Sequence, residues 1–81
     1  MAMQNSALSL ELSTAFPGAK VAVSGGDGKY QVHVVSSEFA GLNRVKRQQA
    51  VYRVVNAHIQ SGAIHAINML LQTPEEHAQE N

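Results

Sequence analysis

Cysteine and tryptophan are both absent from this chain of 81 residues. Without a thiol there is no disulfide framework, no Cys-type zinc site and no thiol nucleophile, a composition that suits a reducing compartment. An excess of either charge is missing too, because six Lys and Arg balance six Asp and Glu. The chain as a whole therefore gives no reason to expect a nucleic-acid or membrane partner, and only local clusters bear on that question. No apolar run approaches the roughly 18 residues of a membrane span, and the opening MAMQNSALSLEL puts no cationic stretch before an apolar one. The expectation is a soluble, cytoplasmic protein with neither a membrane helix nor a secretory signal.

What is present fits one small domain over residues 1–81, with residues 1–5 and 75–81 expected to be flexible ends. A chain this short hides only about 60 % of its unfolded surface, which argues against a large internal active-site cavity. A hydrophobic fraction of 44 %, with two Phe and two Tyr, supports a modest aliphatic core. Leu8, Leu12, Ala15 and Phe16 fall at helical spacing, with Asn5 or Ser6 as cap and Pro17-Gly18 as stop. Leu8, Leu10 and Leu12 also alternate, so that stretch carries two periods at once. Two β-rich runs, Lys20 to Val23 and Tyr30 to Val35, flank the turn-forming SGGDG. A long helix follows, with Val51, Tyr52, Val55 and Ile59 on one face and Gly62 as its stop. A last strand runs from about Ile64 to Leu71, before a polar tail in which Pro74 opens a short helix or the chain frays. The order predicts an α+β fold, helices layered on a small sheet.

Few motifs carry chemistry. The glycines of GGDGKYQV lead into a strand rather than a helix, which favours a plain hairpin turn over a phosphate loop. On a helical wheel Lys46 and Arg53 share the polar face, whereas Arg44 and Arg47 point toward the apolar stripe, where a guanidinium must find a partner or an exit. Two cationic rows can be a solvated face with one structural arginine, or phosphate contacts for a nucleic acid. Ser36 and Ser37 lack nucleophile-elbow glycines, and Glu75 and Glu76 sit in a tail where burial cannot shift a pKa, so nothing supports an enzyme.

The four histidines differ in setting. His58 reads as a half-buried packing residue of the long helix, His33 lies on the strand face opposite Tyr30, Val32 and Val34, and His77 belongs to the tail. His65 stands at the mouth of the last strand, just after a Gly-containing turn, where an imidazole stays accessible. No pair has the spacing of a self-contained metal site. His65 is then either structural or a single ligand offered to a centre completed by another protein.

The segments VVSSEFAGLNRVKRQQAVY and GAIHAINMLLQTPEE resemble the BolA family. The shared pattern is V-V-S, Phe39 and Gly41, then Arg47 with Val51 and Tyr52, then Ile64-His65-Ala66, then Thr73-Pro74. It spans about Val21 to Glu76, and FPGAKVAVSGGDGKYQV looks most like the bacterial acid-stress branch. The resemblance implies a fold like the second class of KH domains, with helices on one face of a three-stranded mixed sheet. It also implies a non-enzymatic partner of a monothiol glutaredoxin in iron-sulfur cluster trafficking or iron and redox sensing. In that pairing a two-iron cluster is held by the glutaredoxin, glutathione and one histidine, here His65, with none bound by the isolated, monomeric chain. A second ligand, His or Cys in the first hairpin loop of many members, is replaced by Lys29, with His33 a few residues later as the only substitute. The G-x-x-G loop of nucleic-acid-gripping KH domains is missing from FAGLNR, and the Trp that usually follows T-P-x-E is His77. The alternative function implied is a DNA-binding stress regulator, with FAGLNRVKRQQ resembling a helix-turn-helix and Arg44, Lys46, Arg47 and Arg53 as its contacts.

Overall fold

The computed structural model describes residues 2–79. The chain forms helix α1 (Asn5–Ala15), strands β1 (Lys20–Gly26) and β2 (Lys29–Val35), and a single 3-10 turn (Ser37–Phe39). Helix α2 (Arg44–Ser61), strand β3 (Ala66–Gln72) and the short helix α3 (Pro74–Gln79) follow. β2 is central, antiparallel to β1 and parallel to β3, so the expected α+β fold on a mixed sheet is what forms.

The alternation of β2 places the sheet. Tyr30, Val32 and Val34 are buried toward the helices, while Gln31 is exposed on the other face. Leu8, Leu12 and Phe16 from α1 and Val51 and Val55 from α2 close over them, with Phe39 and Ile64 filling the ends of the layer. Each such side chain contributes about 1.5–3 kcal/mol by leaving water. The helical period wins in α1: Leu8 and Leu12 are fully buried, whereas Leu10 is 68 % exposed. On α2, Val51 and Val55 are buried and Ile59 half-buried, but Tyr52 turns outward at 42 % exposure, about 100° round the wheel from Val51.

Local chemistry sets the boundaries. Asn43 caps α2, its Oδ1 accepting the Lys46 N–H at 2.9 Å. At the other end Gly62 adopts a left-handed conformation, and the Ile64 N–H returns to the His58 carbonyl at 3.0 Å, driving Ile64 into the core. Neither Asn5 nor Ser6 caps α1; Gln4 precedes the helix, and the Asn5 amide instead donates to the Gly25 carbonyl, tying the helix to the hairpin. The hairpin is longer than the runs Lys20 to Val23 and Tyr30 to Val35, because two residues suffice for the turn. Asp27 and Gly28 both have positive φ, 54° and 82°, which suits the twist of a two-residue hairpin, and the ladder continues to Gly26 opposite Lys29. β3 in turn starts at Ala66 rather than Ile64 and ends one residue later, at Gln72.

Both ends of the described chain are tied to the domain. The Tyr30 hydroxyl donates to the Met3 carbonyl, and Met3 packs against the core. At the far end Pro74–Gln79 is helical; Met1, Glu80 and Asn81 lie outside the described residues. No helix among the described residues is long and apolar enough to cross a membrane.

Candidate functional site

Two places on this scaffold concentrate polar chemistry. One is the tip of the β1–β2 hairpin, against which the chain entering β3 is laid. There the Gly28 carbonyl accepts two backbone N–H groups, from His65 at 2.6 Å and from Ala66 at 3.1 Å. This pins the backbone of His65 at the mouth of the strand. Its side chain is exposed and makes no hydrogen bond to any described residue. Gly28 itself is buried beneath it: a Cβ placed there would stand 3.2 Å from Cγ, 3.3 Å from Nδ1 and 3.4 Å from Cδ2 of the imidazole. Lys29, paired with Ala66, is the exposed neighbour on the same row of the sheet.

The second place is at the start of α2. Here all three nitrogens of the Arg47 guanidinium are engaged. Nε donates to the Leu42 carbonyl at 2.9 Å, and one terminal nitrogen donates to the Leu71 carbonyl at 3.1 Å and to Glu76 at 2.6 Å. The other terminal nitrogen reaches the second Glu76 oxygen at 3.0 Å, and the group also lies 5.9 Å from the centre of the Phe39 ring. Glu76 meanwhile closes a reciprocal cap on α3: it accepts the Thr73 N–H at 2.9 Å, and its own N–H donates to the Thr73 hydroxyl at 3.2 Å. These bonds hold the Glu76 carboxyl down at about 2, the Arg47 hydrogen bond first among the causes and the Thr73 backbone second. The same bond with Glu76 raises Arg47. The expectation that no tail carboxylate would be shifted is thus corrected for Glu76. Hydrogen bonding to the charged form does what burial could not.

The remaining candidates separate along the fold. Arg44, Lys46 and Arg53 are exposed, so Arg44 does not share the inward face with Arg47. The four cations accordingly form no single stripe: one is spent internally and three face solvent. His33 lies on the open sheet face, four residues along β2 from Lys29, roughly 13 Å at strand rise. Its Nε2 bonds the Gln72 side chain at 2.7 Å, and the His77 ring meets it edge-on at 5.3 Å between centroids. The structure therefore does not bring His33 and His65 together. The Nδ1 of His77 is buried and finds no hydrogen-bond partner among the described residues. His58 is half-buried as expected and bonds both oxygens of Glu11, at 2.8 and 2.9 Å, joining α2 to α1.

Sequence reasoning missed two contributors. Gly28 was read as turn chemistry alone, and nothing local marks it as the floor beneath a residue 37 positions later. Glu76 could have been found, because Thr73-Pro74-Glu75-Glu76 has the spacing of a capping box.

Two helices on one face of a mixed sheet, with an exposed imidazole at the hairpin tip that bonds no described residue, define a small α+β domain. The model of the BolA-like protein family matches residues 2–76. The chain belongs to the BolA family. It is 45 % identical over 74 residues to an uncharacterised protein from the rpoN-murA intergenic region of Acinetobacter guillouiae, covering 91 % of this chain and 89 % of that one. It is 36 % identical over 78 residues to the acid stress protein IbaG of Escherichia coli K12, covering 96 % and 93 %. Its fold is similar to the solution structure of yeast Fra2, with a TM-score of 0.77, 26 % identity, and coverage of 98 % of this chain and 88 % of that one.

Proposed function

We propose that this protein is a non-enzymatic partner of a monothiol glutaredoxin and supplies His65 as one ligand to a two-iron iron-sulfur cluster that the two proteins share with glutathione. The observation that carries the reading is the state of His65: backbone pinned by the Gly28 carbonyl, side chain exposed and without a hydrogen bond to the described residues. A ligand needs an anchored backbone and a ring nitrogen not already engaged; the Gly28 carbonyl supplies the first, and no described residue bonds the ring. Among the described residues no three His, Asp or Glu side chains gather as ligands. One imidazole thus fits a centre whose other ligands come from the partner, and imidazole in place of thiolate tends to raise such a cluster's potential. The likeness to the acid stress protein IbaG supports a place for this exchange in a stress response.

The test is anaerobic cluster reconstitution of the protein with a monothiol glutaredoxin and glutathione, read by visible absorption and circular dichroism. The wild type is expected to give a spectrum distinct from that of the glutaredoxin homodimer, and His65→Ala to abolish the difference while folding normally. If neither chain changes the homodimer spectrum, His65 is not a cluster ligand. Attention then moves to DNA, where the exposed Arg44, Lys46 and Arg53 predict binding that weakens steeply with salt.

A further inference from the structure

Gly28 has two unusual properties at one point. Its φ of 82° lies in the left-handed region, and it is buried under a side chain from a distant part of the chain rather than open to solvent. The second property is not needed for a turn: Gly18, Gly41 and Gly62 also have positive φ, and a Cβ on any of them would meet nothing within 4 Å. At Gly28 the place of the missing Cβ is nearly equidistant from Cγ, Nδ1 and Cδ2 of His65, at 3.2, 3.3 and 3.4 Å. Such near-equality means an approach to the face of the ring, since an in-plane approach to Cγ is blocked by the histidine's own Cβ.

We propose that Gly28 is a positioning residue for His65, its bare α-carbon letting the imidazole lie face-on against the hairpin turn. The carbonyl of the same residue fixes the His65 backbone, so one glycine sets both the origin and the orientation of the side chain. This rests on His65 being the ligand proposed above, and adds what fixes the placement of its ring. A Cβ at 3.2–3.4 Å from three ring atoms is tighter than ordinary van der Waals contact, and the exposed ring would give way by rotating off the turn. The imidazole would remain, but no longer in a fixed place.

The experiment uses the full chain. His65 ring 1H–15N resonances and thermal unfolding are recorded for wild type, Gly28→Ala, His65→Ala and the double variant, with Gly26→Ala as control, since a Cβ at Gly26 meets nothing within 4 Å. Gly28→Asn accompanies them, because asparagine tolerates positive φ yet adds the same Cβ, and it serves if Gly28→Ala does not fold. The expected result is that Gly28→Ala and Gly28→Asn move the His65 ring resonances whereas Gly26→Ala does not. The Tm loss caused by Gly28→Ala should also be smaller by about 4 °C when His65 is already alanine. Unmoved ring resonances together with equal Tm losses in the two backgrounds would overturn the proposal, leaving Gly28 as turn geometry only. These readouts need no cluster, so the two readings fail separately. A wild-type chain that never alters the glutaredoxin spectrum defeats the ligand assignment, while unmoved ring resonances with additive losses defeat the positioning role.

Discussion

The hairpin tip and the start of α2 treat their polar side chains in opposite ways. At the start of α2 every nitrogen of Arg47 that can donate to a carbonyl or carboxylate nearby does so, and Glu76 both accepts from Arg47 and closes the cap on α3. At the hairpin tip the backbone of His65 is held as firmly, yet its ring is left exposed with no bond to a described residue. The first arrangement consumes its chemistry in joining three elements; the second leaves a ring unengaged by the described residues, as the proposed ligand role requires. Mutual saturation therefore separates a charge spent inside the fold from a side chain left open better than charge or residue type does. Arg47 is the most heavily bonded of the four cations in the basic cluster and the least available to a partner.

Removing Arg47 should break the saturated region with the largest effect. Arg47→Ala leaves the Leu42 and Leu71 carbonyls and the Glu76 carboxylate without their donor, and a lost set of this kind costs about 2 kcal/mol. For a domain of this size that lowers Tm by roughly 10 °C. Calorimetry of the variant checks it, and a drop no larger than that of Lys46→Ala, which removes an exposed cation, would erase the contrast. Thr73→Ala is the next step down. It removes only the hydroxyl that accepts the Glu76 N–H, a cap loss of about 1 kcal/mol, and should be seen as fraying of α3 in amide exchange before it is seen in global unfolding.

Acid probes the same region without deleting an atom. Glu76 is held at about 2 in the folded chain against an ordinary 4.5, so its ionised form favours folding. That contribution is whole above the ordinary carboxylate range and is lost as pH falls from there through about 2. Glu76→Gln keeps the shape and removes the titration, so the stability of this variant should fall less steeply than that of wild type over the acid limb. Urea midpoints measured from pH 5 down to about pH 2 decide the point. Parallel slopes would mean that the carboxylate is not what acid attacks.

Much of this was legible in the chain and some was not, for definable reasons. Period and turn chemistry gave the order of elements, and the VVS, IHA and TP segments gave the family, because each depends on residues close in sequence. Arg47 was legible as a cation needing a partner, but the partner lies 29 positions away on a helix whose formation the tail composition left open. Tyr52 was misplaced because a wheel gives an angle, not which neighbours reach it; α2 turns it toward solvent. His33 was a reasonable substitute ligand by sequence distance, yet the pleat and the register carry it along β2 to Gln72 and His77. The floor beneath His65 was invisible for the same reason: a glycine's missing Cβ matters only once the fold supplies the neighbour.

The smallest effect on stability is expected from the residue proposed as the cluster ligand. His65 is exposed and its ring forms no hydrogen bond to the described residues, and its backbone N–H, which binds Gly28, survives replacement by any residue but proline. His65→Ala should therefore change the unfolding free energy by no more than about 0.5 kcal/mol. Against the cost of about 2 kcal/mol at Arg47 this inverts the ordering that cluster formation should show, with His65→Ala losing the mixed-complex spectrum and Arg47→Ala keeping it wherever the chain remains folded. Paired denaturation and reconstitution on the two variants would read both orderings at once. A large stability loss at His65 would mean that the hairpin needs the ring for its own integrity, and the distinction between a saturated region and a presenting one would then collapse into two versions of the same structural role.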